Sequence, residues 1–114
     1  MSLDVSLTMP ACARCGSKER MVYTANITHN LAAMAQAAGL WECLWKPTDA
    51  GIITAEHLLP LLKAGLKKLQ SDPHGMRRLE PPNNWGDYET LVRFVTEYLE
   101  ACRENPKARV GAWV

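Results

Sequence analysis

The chain lacks any apolar run long enough to cross a membrane, and its first residues lack a basic stretch followed by an apolar one. We therefore expect a cytoplasmic protein. Its 4 cysteines do not form a dense disulfide framework for 114 residues, and a disulfide is not expected in a reducing compartment. The formal net charge is only +1, which excludes a broad electrostatic attraction to nucleic acid or to an acidic membrane.

Internal repeats, low-complexity segments and phosphate-loop glycines are also missing. The hydrophobic fraction of 47% and the charged fraction of 22% are ordinary for a globular protein. Because the chain is long enough to bury one core and too short for two, we expect residues 1–114 to form a single domain.

Three segments alternate between apolar and polar residues, which is the period of a half-buried strand. They are Ser2–Thr8, a segment from Met21 to Thr28, and Lys107–Val114. Pro10 ends the first, so the first two form a hairpin with a cysteine-containing segment at its tip. The sequence thus predicts an α+β fold: a small antiparallel sheet of this hairpin and the C-terminal strand, packed on one face against three or four helices.

Apolar residues at helical spacing predict the helices. The first begins with Asn30 as N-cap and ends at Gly39, a left-handed C-cap position. A second turn covers Leu40–Trp45. The third spans about Ala55–Leu69, with Thr54 as N-cap and a kink or a later start caused by Pro60. Residues 71–75 break this helix, one further turn covers 76–79, and the last helix runs from Tyr88 to Glu104, capped by Asp87 or Asn84.

Polar side chains surround the entrance to the first helix. Asn26, Thr28, His29 and Asn30 stand where a helix presents unpaired N–H groups and partial positive charge, which can hold a phosphate or carboxylate. The alternative is that Asn30 only caps the helix, Thr28 decorates a strand and His29 is a turn residue. A second entrance carries Asn84, Trp85 and Tyr88. If the entrances converge, Trp85, Tyr88 or Trp41 would stack a base while the amides and His29 hold a phosphate.

The hairpin tip contains Cys12-Ala-Arg-Cys15-Gly16, the pattern of a zinc-ribbon knuckle. Cys12 and Cys15 are therefore candidate ligands of a structural zinc ion. A tetrahedral site needs four ligands, and no second C-x-x-C follows. Cys43, Cys102, His29, His57 or a second subunit would have to complete it. Cys43 and Cys102 also fit core positions, where a free thiol acts as a small hydrophobe.

Several motifs together resemble a group of small uncharacterised bacterial and phage proteins. These are YTANITHNL followed by W-x-x-x-W-K-P, LLPLLKAGL, PPNNWGDYETL and CRENPKARV, so the resemblance covers most of the chain from Tyr23 onward. The NITHN and NWGxY segments are its most specific parts. The resemblance implies a shared fold and brings no activity with it. For a nucleotide-binding module, its phage members suggest a sponge that sequesters a nucleotide-derived immune signal of the host.

Three functions are compatible with these patterns. The leading one is a small-molecule-binding module for a phosphate-bearing ligand. The second is a protein-interaction or homo-oligomerising module, since 4 tryptophans are many and aromatics are favoured at interfaces. The third and least favoured is an enzyme with His29 as base and Glu42, Glu56 or Asp87 as partner, because no spacing of nucleophile, base and orienting group is recognisable.

Overall fold

The structure is a computed structural model that describes residues 2–11, 14–16, 18–82 and 86–114. Across these residues the sheet has three strands, and the helical segments comprise one 3₁₀ turn and five α-helices. In chain order they are β1 (Ser2–Met9), β2 (Arg20–Thr28), the 3₁₀ turn (His29–Leu31), α1 (Ala32–Ala37), α2 (Trp41–Trp45), α3 (Ala55–Ser71), α4 (Pro73–Arg77), α5 (Tyr88–Glu104) and β3 (Arg109–Trp113). The predicted α+β class is confirmed.

The sheet is antiparallel, with strand order β2-β1-β3, so the first strand is the central one. Val5 lies opposite Ala25 on one side and Ala112 on the other. Because side chains alternate between faces, Leu3, Val5 and Leu7 share the face that the helices cover, and all three are fully buried. The predicted hairpin and its pairing with the C-terminal strand are both confirmed.

The long helices α3 and α5 pack on each other, and α5 also lies against β2. Tyr98 of α5 is buried and stacks on Tyr23 of β2, with ring centroids 5.6 Å apart. Gly65 lies at the point where Leu40 approaches α3, and a Cβ added there would overlap the Leu40 side chain. The core therefore joins the sheet to α3 and α5, with the α1–α2 segment packed on α3.

The ends of the first helices differ from the prediction at one residue. Thr28, and not Asn30, provides the cap: its hydroxyl accepts a hydrogen bond from the Asn30 amide at 3.3 Å, and the chain then passes through the 3₁₀ turn into α1. A 3₁₀ turn at a helix start moves the capping residue towards the N-terminus. Gly39 adopts φ +74°, the left-handed conformation predicted for it.

The later helices follow the prediction more closely. Helix α3 begins at Ala55 and continues through Pro60, and α5 has the predicted bounds, with Asp87 as its cap. The turn after α3 is different: α4 begins at Pro73 and not at Met76, because Asp72 caps it and proline suits the first helical turn. In the described part of the chain, no helix combines the length and the apolar character needed to span a membrane.

Candidate functional site

A cleft of about 580 Å³ opens between the turn that follows α2 and the end of β3. His29, which follows β2 directly, and Trp45, the buried last residue of α2, both line this cleft. The complete lining consists of His29, Trp45, Lys46, Pro47, Thr48, Asp49, Val110, Gly111, Ala112, Trp113 and Val114. One wall of the cleft is thus formed by His29, Trp45 and the 46–49 turn, and the other by residues 110–114 at the end of the chain.

The turn after α2 is closed by its own backbone. The Ala50 amide donates to the Lys46 carbonyl at 3.1 Å, and the Ile52 amide donates to the Pro47 carbonyl at 2.9 Å. Gly51 adopts φ +76°, a conformation that glycine takes without steric cost. These bonds give the outer wall of the cleft a defined shape, with Pro47 buried and the neighbouring polar side chains exposed.

His29 and Trp45 form a hydrogen-bonded pair. The Trp45 indole Nε1 donates to His29 Nδ1 at 3.0 Å, and the two rings lie 5.8 Å apart between centroids. An indole nitrogen can only donate, so Nδ1 must accept, and the neutral imidazole carries its proton on Nε2. Nε2 is buried and has no hydrogen-bond partner among the described residues. The pair thus leaves a fixed, unpaired N–H donor on His29, a residue that lines the cleft.

The outer part of the cleft offers different chemistry. Lys46 and Asp49 are exposed and bring one charge of each sign. Trp113 is 49% exposed, a large share for an indole, and its ring lies over Gly111 on the strand. An exposed indole face can stack a planar ring, and an ammonium group can pair with an anion. The outer part of the cleft therefore offers an aromatic face and one charged group of each sign.

The structure does not bring the sequence-predicted residues of β2 into this cleft. The Asn26 amide donates to Ser2 Oγ and to Asp4 Oδ1, both at 2.9 Å, on the sheet face away from the helices. Thr28 is engaged in capping the 3₁₀ turn. Asn30 is half-buried and its amide is the donor of that capping bond. Of the four residues at this entrance, only His29 lines the cleft.

At the second helix entrance, Asn84 and Trp85 lie outside the described residues. The amides of α5 are occupied: Tyr88 N donates to Glu80 Oε2 and Thr90 N to Asp87 Oδ1, both at 2.8 Å. Because the chain's own carboxylates fill the positive end of this helix, little of its anion-binding capacity remains.

The two entrances nevertheless touch. A Cβ added to Gly86, which has φ +113°, would meet the Thr28 methyl group and Leu31. Tyr88, in contrast, lines a different pocket: its hydroxyl donates to the Leu69 carbonyl at 2.9 Å, and Arg77 lies over its ring. The entrances therefore meet by close packing, while Tyr88 and His29 face different surroundings.

Trp41 borders the cleft residues without lining the cleft itself. It stacks on Trp45 one helical turn later, with centroids 6.4 Å apart and an interplanar angle of 9°. Its other surroundings form a separate shallow pocket with Gln36, Gly39 and Glu42. Trp41 thus packs against Trp45, and Trp45 in turn holds His29 by a hydrogen bond.

The cysteines divide into two kinds. Cys15 is exposed, and Cys12 lies outside the described residues. Cys43 and Cys102 are buried in the core, and burial raises the pKa of the Cys43 thiol to about 11 and that of Cys102 to about 12. Among the described residues no three His, Cys, Asp or Glu side chains form a metal-binding group. The zinc site stays a prediction, and elemental analysis of the purified protein is its test.

Two carboxylates considered as partners of His29 are engaged elsewhere. Glu56 pairs with Lys107, with 3.2 Å between Nζ and Oε2. Asp87 accepts from both the Thr90 hydroxyl and the Thr90 amide, and these bonds hold the pKa of its carboxyl below the usual value. Among the described residues, the side chain that hydrogen-bonds to the His29 ring is the Trp45 indole, which orients the imidazole but cannot take up its proton.

Sequence reasoning did not select Trp45, the 46–49 turn or the end of β3. Two signals for them are present in the chain. Trp45 follows Trp41 at i+4, so the two share one helix face. Trp113 falls on the polar face of its strand, where a large aromatic residue is out of pattern. Neither signal shows that these segments meet.

Comparison with known proteins adds no functional information: no family model, no curated protein and no solved structure matches the chain.

Proposed function

We propose that this protein is a small-molecule-binding module and that its site is the cleft of His29, Trp45 and the end of β3. The observation that carries the proposal is the unpaired Nε2–H of His29. Leaving a buried donor unpaired costs about 1–3 kcal/mol, and an acceptor atom of a ligand that reaches the inner end of the cleft relieves that cost.

The outer lining supports a ligand of the nucleotide class. A planar base stacks on the exposed face of Trp113, an acceptor of the ligand meets His29, and a phosphate lies near the Lys46 ammonium. A volume of about 580 Å³ falls within the range of ordinary small-molecule sites. The phage-protein resemblance makes nucleotide-derived immune signals the first candidates, with sequestration of the signal as the biological role.

Isothermal titration calorimetry against a panel of cyclic nucleotides and ADP-ribose derivatives tests the proposal. We expect saturable binding of at least one compound. His29→Ala should weaken that binding on the order of tenfold, because one hydrogen bond from a buried donor is lost. Lys46→Ala and Trp113→Ala should also weaken it, and both side chains are exposed enough to be replaced without loss of the fold.

His74→Ala is the matched control, because His74 is an exposed histidine on α4 that does not line the cleft. It should leave the affinity unchanged. Binding that is insensitive to all three cleft variants places the site elsewhere, and absence of binding across the panel contradicts a nucleotide-class ligand.

A further inference from the structure

The outer edge of β3 is paired by the rest of the chain only near its start. Val110 N donates to the Ile53 carbonyl at 2.9 Å, and Ala55 N donates to the Ala108 carbonyl at 2.8 Å. The residue before this pairing segment, Ile52, donates instead to the turn that follows α2. The pairing therefore stops at Val110, although β3 continues to residue 113.

The register of the sheet shows which backbone groups remain open. Val110 directs its N–H away from β1, so its neighbour Gly111 is the residue that exchanges hydrogen bonds with Ser6 of β1. Inward and outward residues alternate along a strand, so Ala112 again directs its N–H and C=O away from β1. No described residue makes a backbone hydrogen bond to these groups or to the Val110 C=O. An acceptor, a donor and a second acceptor are thus open, in that order.

These open groups belong to the His29 cleft. Val110, Gly111 and Ala112 all line it, on the wall opposite Trp45 and the 46–49 turn. Because β1 occupies the inner edge of these residues, the backbone groups that a ligand can reach from the cleft are those of the outer edge. The cleft therefore offers three hydrogen-bonding groups of the main chain in addition to its side chains.

The open stretch is too short to hold an added strand. It is bounded by the pairing with Ile53 at one end and by the end of β3 at Trp113 at the other. Strands usually pair over about five or six residues, whereas a planar ring meets two or three adjacent groups at once. The edge groups lie in the plane of the sheet, so a ring bound to them turns one face to the side on which Trp113 lies. A flat heterocycle is thus the occupant that fits.

We propose that the outer edge of β3 selects adenine as the ring of the ligand, an inference that rests on the function proposed above. The order acceptor, donor, acceptor is complemented by donor, acceptor, donor. Adenine presents its amino group, the neighbouring ring nitrogen and then a C–H group. The amino group donates to the Val110 carbonyl and the ring nitrogen accepts from the Ala112 N–H. The C–H group makes a weak hydrogen bond to the Ala112 carbonyl.

The other common bases do not satisfy all three groups in any orientation. Guanine presents an acceptor and two donors in a row, cytosine a donor and two acceptors, and uracil a donor between two acceptors. Each leaves a main-chain group without a partner, which weakens binding. The base 2-aminoadenine, in contrast, has an amino group in place of the C–H of adenine. It therefore presents donor, acceptor, donor and complements the edge completely.

Calorimetry with four nucleoside 5′-monophosphates tests this order: those of adenosine, 2-aminoadenosine, 1-deazaadenosine and guanosine. The 2-aminoadenosine compound should bind about tenfold more tightly than the adenosine compound, because a full hydrogen bond to the Ala112 carbonyl replaces a weak one. The 1-deazaadenosine compound lacks the ring nitrogen that accepts from Ala112 N–H and should bind about tenfold more weakly. The guanosine compound should also bind more weakly than the adenosine compound.

The outcomes separate this inference from the proposed function. Equal affinities across the series, with binding weakened by His29→Ala, overturn the selection of adenine and leave the cleft as a nucleotide site. A compound without adenine that binds through the cleft when the series does not bind has the same meaning. Absence of binding by the series and by every cyclic nucleotide and ADP-ribose derivative overturns both.

Ala112→Pro gives a second readout, because it removes an N–H that points away from β1 and leaves the pairing with β1 intact. It should weaken the adenosine compound about tenfold and abolish its advantage over 1-deazaadenosine. Thr24→Pro is the matched control. Its neighbour Ala25 exchanges hydrogen bonds with Val5, so Thr24 also directs its N–H away from β1, on the other outer strand and outside the cleft. Thr24→Pro should leave the affinity unchanged, and an advantage that persists in Ala112→Pro contradicts the assignment.

Discussion

At the scale of single residues, close approach and burial decide what each position tolerates. Gly65 is required where Leu40 meets α3, and Trp45 fixes the proton of His29 on Nε2. Tyr98 and Cys102 are buried, and burial raises the pKa of each, so both stay neutral at physiological pH. At each of these positions the neighbouring atoms are closely packed, so an added methyl group or an added charge has no space or solvent to accommodate it.

Gly65→Ala is expected to destabilise the protein on the order of 1 kcal/mol, since overlap with the buried Leu40 outweighs the better helix propensity of alanine. Chemical denaturation measures the change. In a Leu40→Ala background the overlap is removed, so the same substitution should become neutral or stabilising. If Gly65→Ala costs the same in both backgrounds, the contact with Leu40 is not the cause.

At the scale of elements, α5 is held at its first turn by two carboxylates from different parts of the chain. Asp87 caps the Thr90 amide, and Glu80 reaches back to the Tyr88 amide. Both acceptors also interact favourably with the positive end of the helix. The first turn of α5, the helix that packs on β2, is thus fixed by polar groups as well as by its apolar face.

Asp87→Ala should cost about 1 kcal/mol of unfolding free energy, because a helix donor loses its cap. Asp87→Asn keeps an acceptor and should cost less. Since the pKa of Asp87 is lowered in the folded state, the stabilisation by its charged form is present above the ordinary value of 3.8 and is lost as the pH falls through the folded value. Denaturation of wild type and Asp87→Asn between neutral and acidic pH should therefore converge on acidification; a constant difference contradicts this origin.

Predictability from the sequence differed between elements and contacts. The strands and α5 were predicted within a few residues because alternation and helical periodicity report local burial. The predicted start of α4 at Met76 and the predicted cap at Asn30 were wrong, because several residues there can cap and the choice depends on neighbouring turns. The cleft could not be predicted from the sequence. His29 was selected, but its hydrogen bond to Trp45 and its position beside the end of β3 are tertiary contacts, which the periodicity of a segment does not report.

At the scale of the whole molecule, buried weak acids link stability to alkaline pH. Burial raises the pKa of Cys43 to about 11 and that of Cys102 to about 12, from 9.0, and raises the pKa of Tyr98 above its ordinary value of 10.0. The half-buried Tyr23 is raised to about 12, by burial first and by Glu97 second, and contributes less because solvent screens it.

The free energy of unfolding should therefore fall as the pH rises above about 9, because the unfolded chain releases these protons before the folded one does. The loss continues until the folded pKa values are passed. Urea denaturation at a series of alkaline pH values measures it. Cys102→Ala should show a shallower decline than wild type, and a stability that is constant up to about pH 11 contradicts the expectation.

The central position of β1 also governs when the molecule can fold during synthesis. Of the three strands β1 is made before the others, and one of its partners, β3, follows about a hundred residues later. Until Arg109–Trp113 are made, one edge of β1 has no strand to pair with. The apolar side chains of Leu3, Val5 and Leu7 on β1 are buried only when the helices pack on the sheet. A nascent chain stalled after α5 would lack the strand that pairs with the second side of β1, and we expect it to be prone to aggregation until β3 is made.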